Sequence, residues 1–265
     1  MQTVPVRNSG TVVDGPTLFA RYAYPPNQRG YCGPADHQSL LEYGAARVVD
    51  PGLEQLARGF ASAWPYLTFI AAAVGIGDPL DRRVVSGYWL GTRLLDRIDM
   101  AVFGNALQDR FRPKTGSSWP FLAESIPAGA VPSHSFHVFE VYPWVGLLES
   151  YRGGHPLHIL DRCRIRWGEV VTTSGDQVVV RSQPLEWDGG VLRLGPAIEE
   201  TATRSLGGLG FVDDLRPGEW VSLHWDWVCD RLDASQLADL RRSTAHQLRI
   251  TNRTAGHPGP AMTMG

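Results

Sequence analysis

Lysine is almost missing from this chain. Lys114 is the single lysine among 25 Lys and Arg residues, a bias that fits a GC-rich coding sequence better than a chemical requirement. Positive charge is not in excess either: 27 Asp and Glu leave a formal net charge of −2. A surface so balanced gives no support to a nucleic-acid or anionic-membrane partner. Long apolar runs are absent too. The longest, Tyr66 to Ile76, is too short to span a bilayer. The N-terminal M-Q-T-V-P-V-R-N-S-G has no apolar segment behind its charge, so it does not read as a signal peptide. Cysteine is scarce: Cys32, Cys163 and Cys229 form an odd set without the spacing of a disulfide framework. These absences predict a cytoplasmic protein whose cysteines serve packing, catalysis or metal binding.

What remains is an ordinary globular composition, 43% hydrophobic and 20% charged over 265 residues, enough for one large or two small domains. Residues 19–37, rich in Pro, Gly, Asn and aromatics, read as an ordered loop. Asp36 caps a helix reaching Val48, and Asp50-Pro51 starts another. Leu53, Leu56, Ala57, Phe60 and Trp64 share one apolar face of that helix. Tyr66–Ile76 reads as a buried helix, and Asp78-Pro79 opens one running to about Phe103. Residues 135–148, aromatic and β-branched, read as one or two strands. From His158 the period becomes two: Cys163, Ile165 and Trp167 alternate with Arg162, Arg164 and Arg166, giving an apolar face and a solvated cationic one. Turns at Ser174-Gly175-Asp176 and Asp188-Gly189-Gly190 separate short strands, and Glu219–Cys229 reads as the last. Asp233 and Gln236 have the spacing of a capping box for a terminal helix.

The expected fold is therefore α+β: an N-terminal all-α helical domain and a C-terminal small β-barrel with a terminal helix. Boundaries fall at 1–130 (helical domain with an N-terminal aromatic loop), 131–157 (linker or strands), 158–250 (barrel plus helix) and 251–265 (disordered tail).

Several side chains stand out chemically. Cys32, in Tyr31-Cys32-Gly33-Pro34, precedes a helix start whose dipole would lower its pKa. Asp36 and His37 lie close in sequence, making this loop a candidate thiol or metal site. His134 with His137, and His155 with His158, form H-x-x-H pairs, which share a face only on a helix. Trp220, Trp225 and Trp227 suit either core packing or a partner interface. Cys163 and His224 offer a thiolate and an imidazole, both suitable ligands for iron.

Two stretches carry a resemblance. Arg162-Cys163-Arg164-Ile165-Arg166-Trp167-Gly168 looks like the Met-Cys-x-x-x-Pro-Gly start of HypC-type [NiFe]-hydrogenase maturation chaperones. Gly218-Glu219-Trp220-Val221-Ser222-Leu223-His224-Trp225-Asp226-Trp227-Val228 resembles their Gly-Asp-Tyr-Val-x-Val-His-x-Gly-Phe-Ala. The resemblance covers residues 158–250, with Trp167 where the family has proline and with Cys163 inside the chain. It implies an OB-like barrel and a non-enzymatic accessory factor. Cys163 and His224 would transiently hold iron with cyanide and CO ligands, an Fe(CN)2CO moiety. Trp220, Trp225 and Trp227 would meet the client, which is the hydrogenase large-subunit precursor or another maturation protein. The alternative is a thiol-dependent or metal-binding enzyme with its site at Tyr31-Cys32-Gly33-Pro34.

Overall fold

Asp14 starts the helix around which the chain is arranged. Its carboxylate accepts the Thr17 N–H at 2.8 Å, and Pro16 occupies the first turn, where a missing N–H costs nothing. The resulting helix α1 (Gly15–Gln28) is buried from Thr17 through Asn27. It lies against helices on one side and against sheet on the other. The computed structural model describes residues 13–115, 119–152 and 154–254. The loop expected over 19–37 is thus corrected: its first part is α1. Pro25 and Pro26 fall in the last turn of that helix, where they end it rather than prevent it.

The next helices follow the capping signals. Asp36 caps α2 (His37–Ala46) and Asp50 caps α3 (Pro51–Arg58); α4 (Trp64–Val74) buries Leu67 and Ile70. The helix expected to reach Phe103 is broken into α5 (Arg82–Leu90), a 3-10 turn (Arg93–Arg97) and α6 (Met100–Thr115). Gly91, in the left-handed region at φ 66°, terminates the first piece. After α7 (Trp119–Glu124) the chain stays helical where strands were expected. It forms α8 (His134–Phe136), a π-helical turn (His137–Val141), α9 (Trp144–Leu147) and α10 (Gly154–Cys163). Tertiary burial wins over the β propensity of this aromatic run.

The C-terminal region is sheet-rich, so the whole is a mixed α+β structure with helices in its N-terminal part. Strands β1 (Arg166–Ser174), β2 (Gln177–Ser182), β3 (Leu185–Asp188), β4 (Val191–Leu194) and β5 (Ile198–Thr203) are followed by the short β6 (Ser205–Leu206) and β7 (Leu209–Gly210). Then come β8 (Trp220–His224) and β9 (Trp227–Arg231). The main sheet runs β1-β2-β5-β9-β8, and β8 pairs back onto β1 with Gly168 opposite Val221. Gly168 has a steric reason to lack a side chain: a Cβ there would stand 2.9 Å from Val180 Cβ. The single strand expected over Glu219–Cys229 is a hairpin instead, with His224 opposite Trp227 and Trp225 at φ 53° in the turn.

The terminal helix α11 (Ala234–Thr254) begins with the expected capping box. The Asp233 N–H reaches Gln236 Oε1 at 3.0 Å, and the Gln236 N–H reaches Asp233 Oδ1 at 2.8 Å. Residues 251–254, expected in a disordered tail, belong to this helix; the rest of that tail lies outside the described residues.

One hydrophobic cluster runs through both regions, joining Phe19, Tyr22 and Leu67 to Val180, Val221 and Val228. The expected division at 130 and 158 is therefore not a division in packing. Arg164 and Arg166 are also corrected: they are not on a solvated strand face but 1% exposed. Arg164 pairs with Asp161 at 2.9 Å, and Arg166 pairs with Glu200, as does Arg162. Buried guanidinium groups are tolerable only when paired in this way. Among the described residues no helix is long and apolar enough to cross a membrane.

Candidate metal centre

Where the helical and sheet-rich regions meet, one side chain from α8, one from the end of α10 and one from the end of β8 converge. His134, Cys163 and His224 are all buried, and one ligand atom from each lies within 4.8 Å of the others. The cysteine and histidine singled out from the two sequence motifs are thus neighbours in space. The helical region adds a third donor, His134.

Local backbone chemistry sets each ring. A helix leaves its last carbonyls without intrahelical donors. At the end of α10, the Cys163 carbonyl accepts the His134 Nε2–H at 2.8 Å, and the Arg162 carbonyl accepts the Trp225 N–H at 2.7 Å. Within α1, Pro26 has no N–H to give to the carbonyl four residues back, that of Tyr22. That carbonyl accepts the His224 Nδ1–H at 2.6 Å. Because a carbonyl only accepts, these bonds assign the ring tautomers. His134 Nδ1 and His224 Nε2 then carry lone pairs, and both are buried without a hydrogen-bond partner.

The electrostatics favour uncharged ligands. Burial brings the His134 pKa down to about 4, against the raising effect of the Cys163 carbonyl. His224 lies well below the ordinary histidine value, through burial first and the neighbouring His134 second, against the raising effect of the Tyr22 and Cys163 carbonyls. Burial also pushes the Cys163 thiol up, and Cys32 adds to the rise. With both imidazoles neutral and the thiol protonated, the cluster carries no charge. A divalent ion would displace the thiol proton and gain a thiolate ligand. Tilted aromatic contacts hold the rings: Trp89 is 4.6 Å from His134 and 5.6 Å from His224, centroid to centroid.

A cavity of about 30 Å³ adjoins the cluster, lined by His134 and Cys163 and, on other walls, by Cys32, His137, Tyr142 and Trp225. That is room for one water-sized ligand. Cys32 and His137, chosen from the sequence as a separate candidate group, therefore belong to this site. Asp36 and His37 do not: both are exposed at the start of α2, where the Asp36 carboxylate accepts the Ser39 N–H. The lowered thiol pKa expected for Cys32 is reversed. Burial raises it to about 12, with a hydrogen bond involving Ser62 acting the other way. His155 and His158 are exposed on α10 and stand apart from the cavity lining.

Over the cavity lies the Tyr31–Pro34 loop. Asn27 Nδ2 donates to the Cys32 and Pro34 carbonyls at 2.7 and 2.6 Å, and Tyr31 stacks on Trp225 at 4.5 Å. Arg29 bonds Asp226 at 2.7 Å and sits over the Trp225 ring. Trp225 and Trp227 are buried, 4% and 3% exposed. The expectation that they meet a client is thus corrected: one walls the cavity and the other fills the core. Trp220 is half-buried beneath Arg241. Sequence reasoning missed Pro26, Trp89 and Tyr142. The proline four residues after Tyr22 is the one signal that marks a free carbonyl.

The family model described as a family of unknown function, DUF6390, matches residues 11–257. The chain belongs to this family. The match runs through the helical and the sheet-rich regions alike, so the three donors of this DUF6390 member all fall within it. No curated protein and no solved structure matches the chain.

Proposed function

We propose that the protein is an accessory factor for [NiFe]-hydrogenase maturation. Its sheet-rich region acts as a HypC-like, OB-like barrel that holds iron as transient cargo between Cys163 and His224. One observation carries this reading. The residues at the matching positions of two motifs far apart in sequence meet in one buried cluster. The strand order that returns to β1 and the closing helix α11 suit the same reading. The donor set fits the cargo: a thiolate and a neutral imidazole are soft-to-borderline ligands for iron.

The Tyr31–Pro34 loop borders the cavity beside this cluster through Tyr31 and Cys32. This reading puts partner engagement at the loop, with the large-subunit precursor or another maturation protein as partner. The thiol-enzyme alternative at Cys32 is weaker, because burial raises that thiol to about 12 and keeps it protonated at neutral pH. The metal-binding form of that alternative merges with the present site, since Cys32 lines the same cavity.

The test is affinity purification from an anaerobic host carrying a [NiFe]-hydrogenase operon, with infrared spectra of the isolated protein. The reading expects a large-subunit precursor or a maturation protein in complex and bands in the cyanide and CO region. A clean single chain without those bands, together with full hydrogenase activity after deletion, removes it.

A further inference from the structure

We infer that His134, from the helical region, is a third ligand beside Cys163 and His224. The two regions then share one centre for a borderline divalent ion, Fe2+ or Zn2+, whose fourth position opens onto the Cys32 cavity. The inference uses the cluster of the maturation reading but does not depend on a hydrogenase client.

The argument starts from two orphan nitrogens. His134 Nδ1 and His224 Nε2 are buried and make no hydrogen bond. A buried acceptor left unsatisfied is costly, and two such imidazoles beside one thiol form an unusual packing arrangement. Tilted packing against Trp89 explains why the imidazoles are buried. It does not explain why two buried imidazoles, each with one unpartnered nitrogen, come within 4.8 Å of each other and of one sulfur through a ring nitrogen of each. A metal ion satisfies both at once.

The opposite ring edges support the same conclusion. Each N–H is fixed on a main-chain carbonyl, at 2.8 Å for His134 and 2.6 Å for His224. Metal-ligating histidines are held in this way, since the outer hydrogen bond sets the tautomer and raises ligand basicity. The carbonyl end of α10, where Cys163 sits, also carries the negative end of a helix dipole, which favours a cation. In a tetrahedral site with these bond lengths, ligand atoms stand roughly 3.5 Å apart.

The open side is defined by the lining. His134 and Cys163 border the cavity of about 30 Å³, whereas His224 lies behind them. An ion at the cluster therefore presents its fourth position to a space for one small ligand. Three protein ligands with one open position is the pattern of reactive rather than purely structural zinc and iron sites. Cys32 lies on another wall of that space and outside the 4.8 Å group, so it borders the exogenous ligand and is not needed to hold the ion.

The test uses the full chain, purified anaerobically, stripped of metal and titrated with Co2+ as a spectroscopic probe. The wild type is expected to bind one Co2+ per chain with a thiolate-to-metal charge-transfer band and intense four-coordinate visible bands. Adding cyanide or azide should shift the visible bands. His134→Ala should weaken Co2+ binding about 100-fold or more and lose the four-coordinate bands, whereas Cys32→Ala should bind as the wild type does. A folded His134→Ala variant that binds Co2+ with wild-type affinity overturns the inference, as does a wild type that binds no Co2+, Fe2+ or Zn2+. If His134→Ala does not fold, pulsed electron paramagnetic resonance of the wild-type Co2+ form decides, with two coupled imidazoles expected and a single one contradicting. Failure of the maturation reading would look different: no client and no cyanide or CO bands, with the Co2+ results unchanged.

Discussion

The side chain of His134 and the main chain of Cys163 are joined by a 2.8 Å hydrogen bond from Nε2–H to the carbonyl oxygen. This bond ties the helical region to the last residue of α10, just before the sheet begins. It fixes the orientation of His134 beside the Cys163 thiol and His224. One interaction thus joins two regions and orients a candidate ligand.

The metal-free protein should be most stable in a window around neutral pH. His134 titrates near 4 and His224 well below its ordinary value when folded, but both take ordinary values near 6.5 when unfolded. Below that value the unfolded chain binds protons that the folded one refuses, so stability falls as pH drops. The slope is about 1.4 kcal/mol per pH unit for each histidine. Cys163 is raised and Cys32 reaches about 12 when folded. Their stabilising contribution is present below the unfolded thiol value and declines as pH rises above about 8.5. Urea midpoints at pH 5, 7.5 and 9.5 should show the maximum at 7.5, and a midpoint that keeps rising toward pH 5 would contradict the neutral state of the two buried imidazoles.

Tyr31→Ala should uncover the cavity. The Tyr31–Trp225 stack at 4.5 Å is the aromatic clasp of the loop, and such a pair contributes about 0.5–1.5 kcal/mol. The loss in global stability should be of that size, while the rate of Cys32 modification by a thiol reagent at fixed pH rises about tenfold. An unchanged rate would mean that the loop does not gate the cavity.

Arg166→Met should be far more costly than a surface substitution. Arg166 is 1% exposed, pairs with Glu200 and donates to the Trp225 carbonyl. Removing Arg166 leaves Glu200 with Arg162 as its remaining cation and the Trp225 carbonyl without its donor, at the lower end of about 3–5 kcal/mol. Replacing both partners, as Arg166→Met with Glu200→Leu, should recover part of that loss in urea denaturation. No recovery would mean that the Trp225 contact, rather than the ion pair, is what Arg166 provides.

The sequence pattern revealed local signals well and long-range ones only through the resemblance. Caps at Asp36, Asp50 and Asp233 were legible because each signal lies within a few residues of its effect. The turns at Gly175 and Gly189-Gly190 were legible for the same reason. Residues 135–148 and the run from His158 to Cys163 read as strands yet are helical, because their aromatic and branched residues serve burial, which overrides strand propensity. Cys163 and His224 were paired by their motifs, but nothing local says that His134 and Cys32 reach the same cavity. Those meetings depend on α1, α8 and α10 converging, and no periodicity encodes that.

Gly33→Ala should disturb the Cys32 loop without touching a ligand. Gly33 sits at φ 86°, and a Cβ there would stand 2.4 Å from Phe60 Cε1. Strain and overlap together should cost about 1–3 kcal/mol. Cys32 should become more reactive toward a thiol reagent while Co2+ binding persists, because Cys32 is outside the ligand group. Loss of Co2+ binding in a folded Gly33→Ala variant would move Cys32 into the coordination sphere.

X-ray absorption at the metal edge of the anaerobically purified protein reads the centre most directly. The account expects one sulfur scatterer at about 2.3 Å and two imidazole nitrogens at about 2.0–2.1 Å, supplied by Cys163, His134 and His224. A shell of light atoms without sulfur, or a single imidazole, would contradict it.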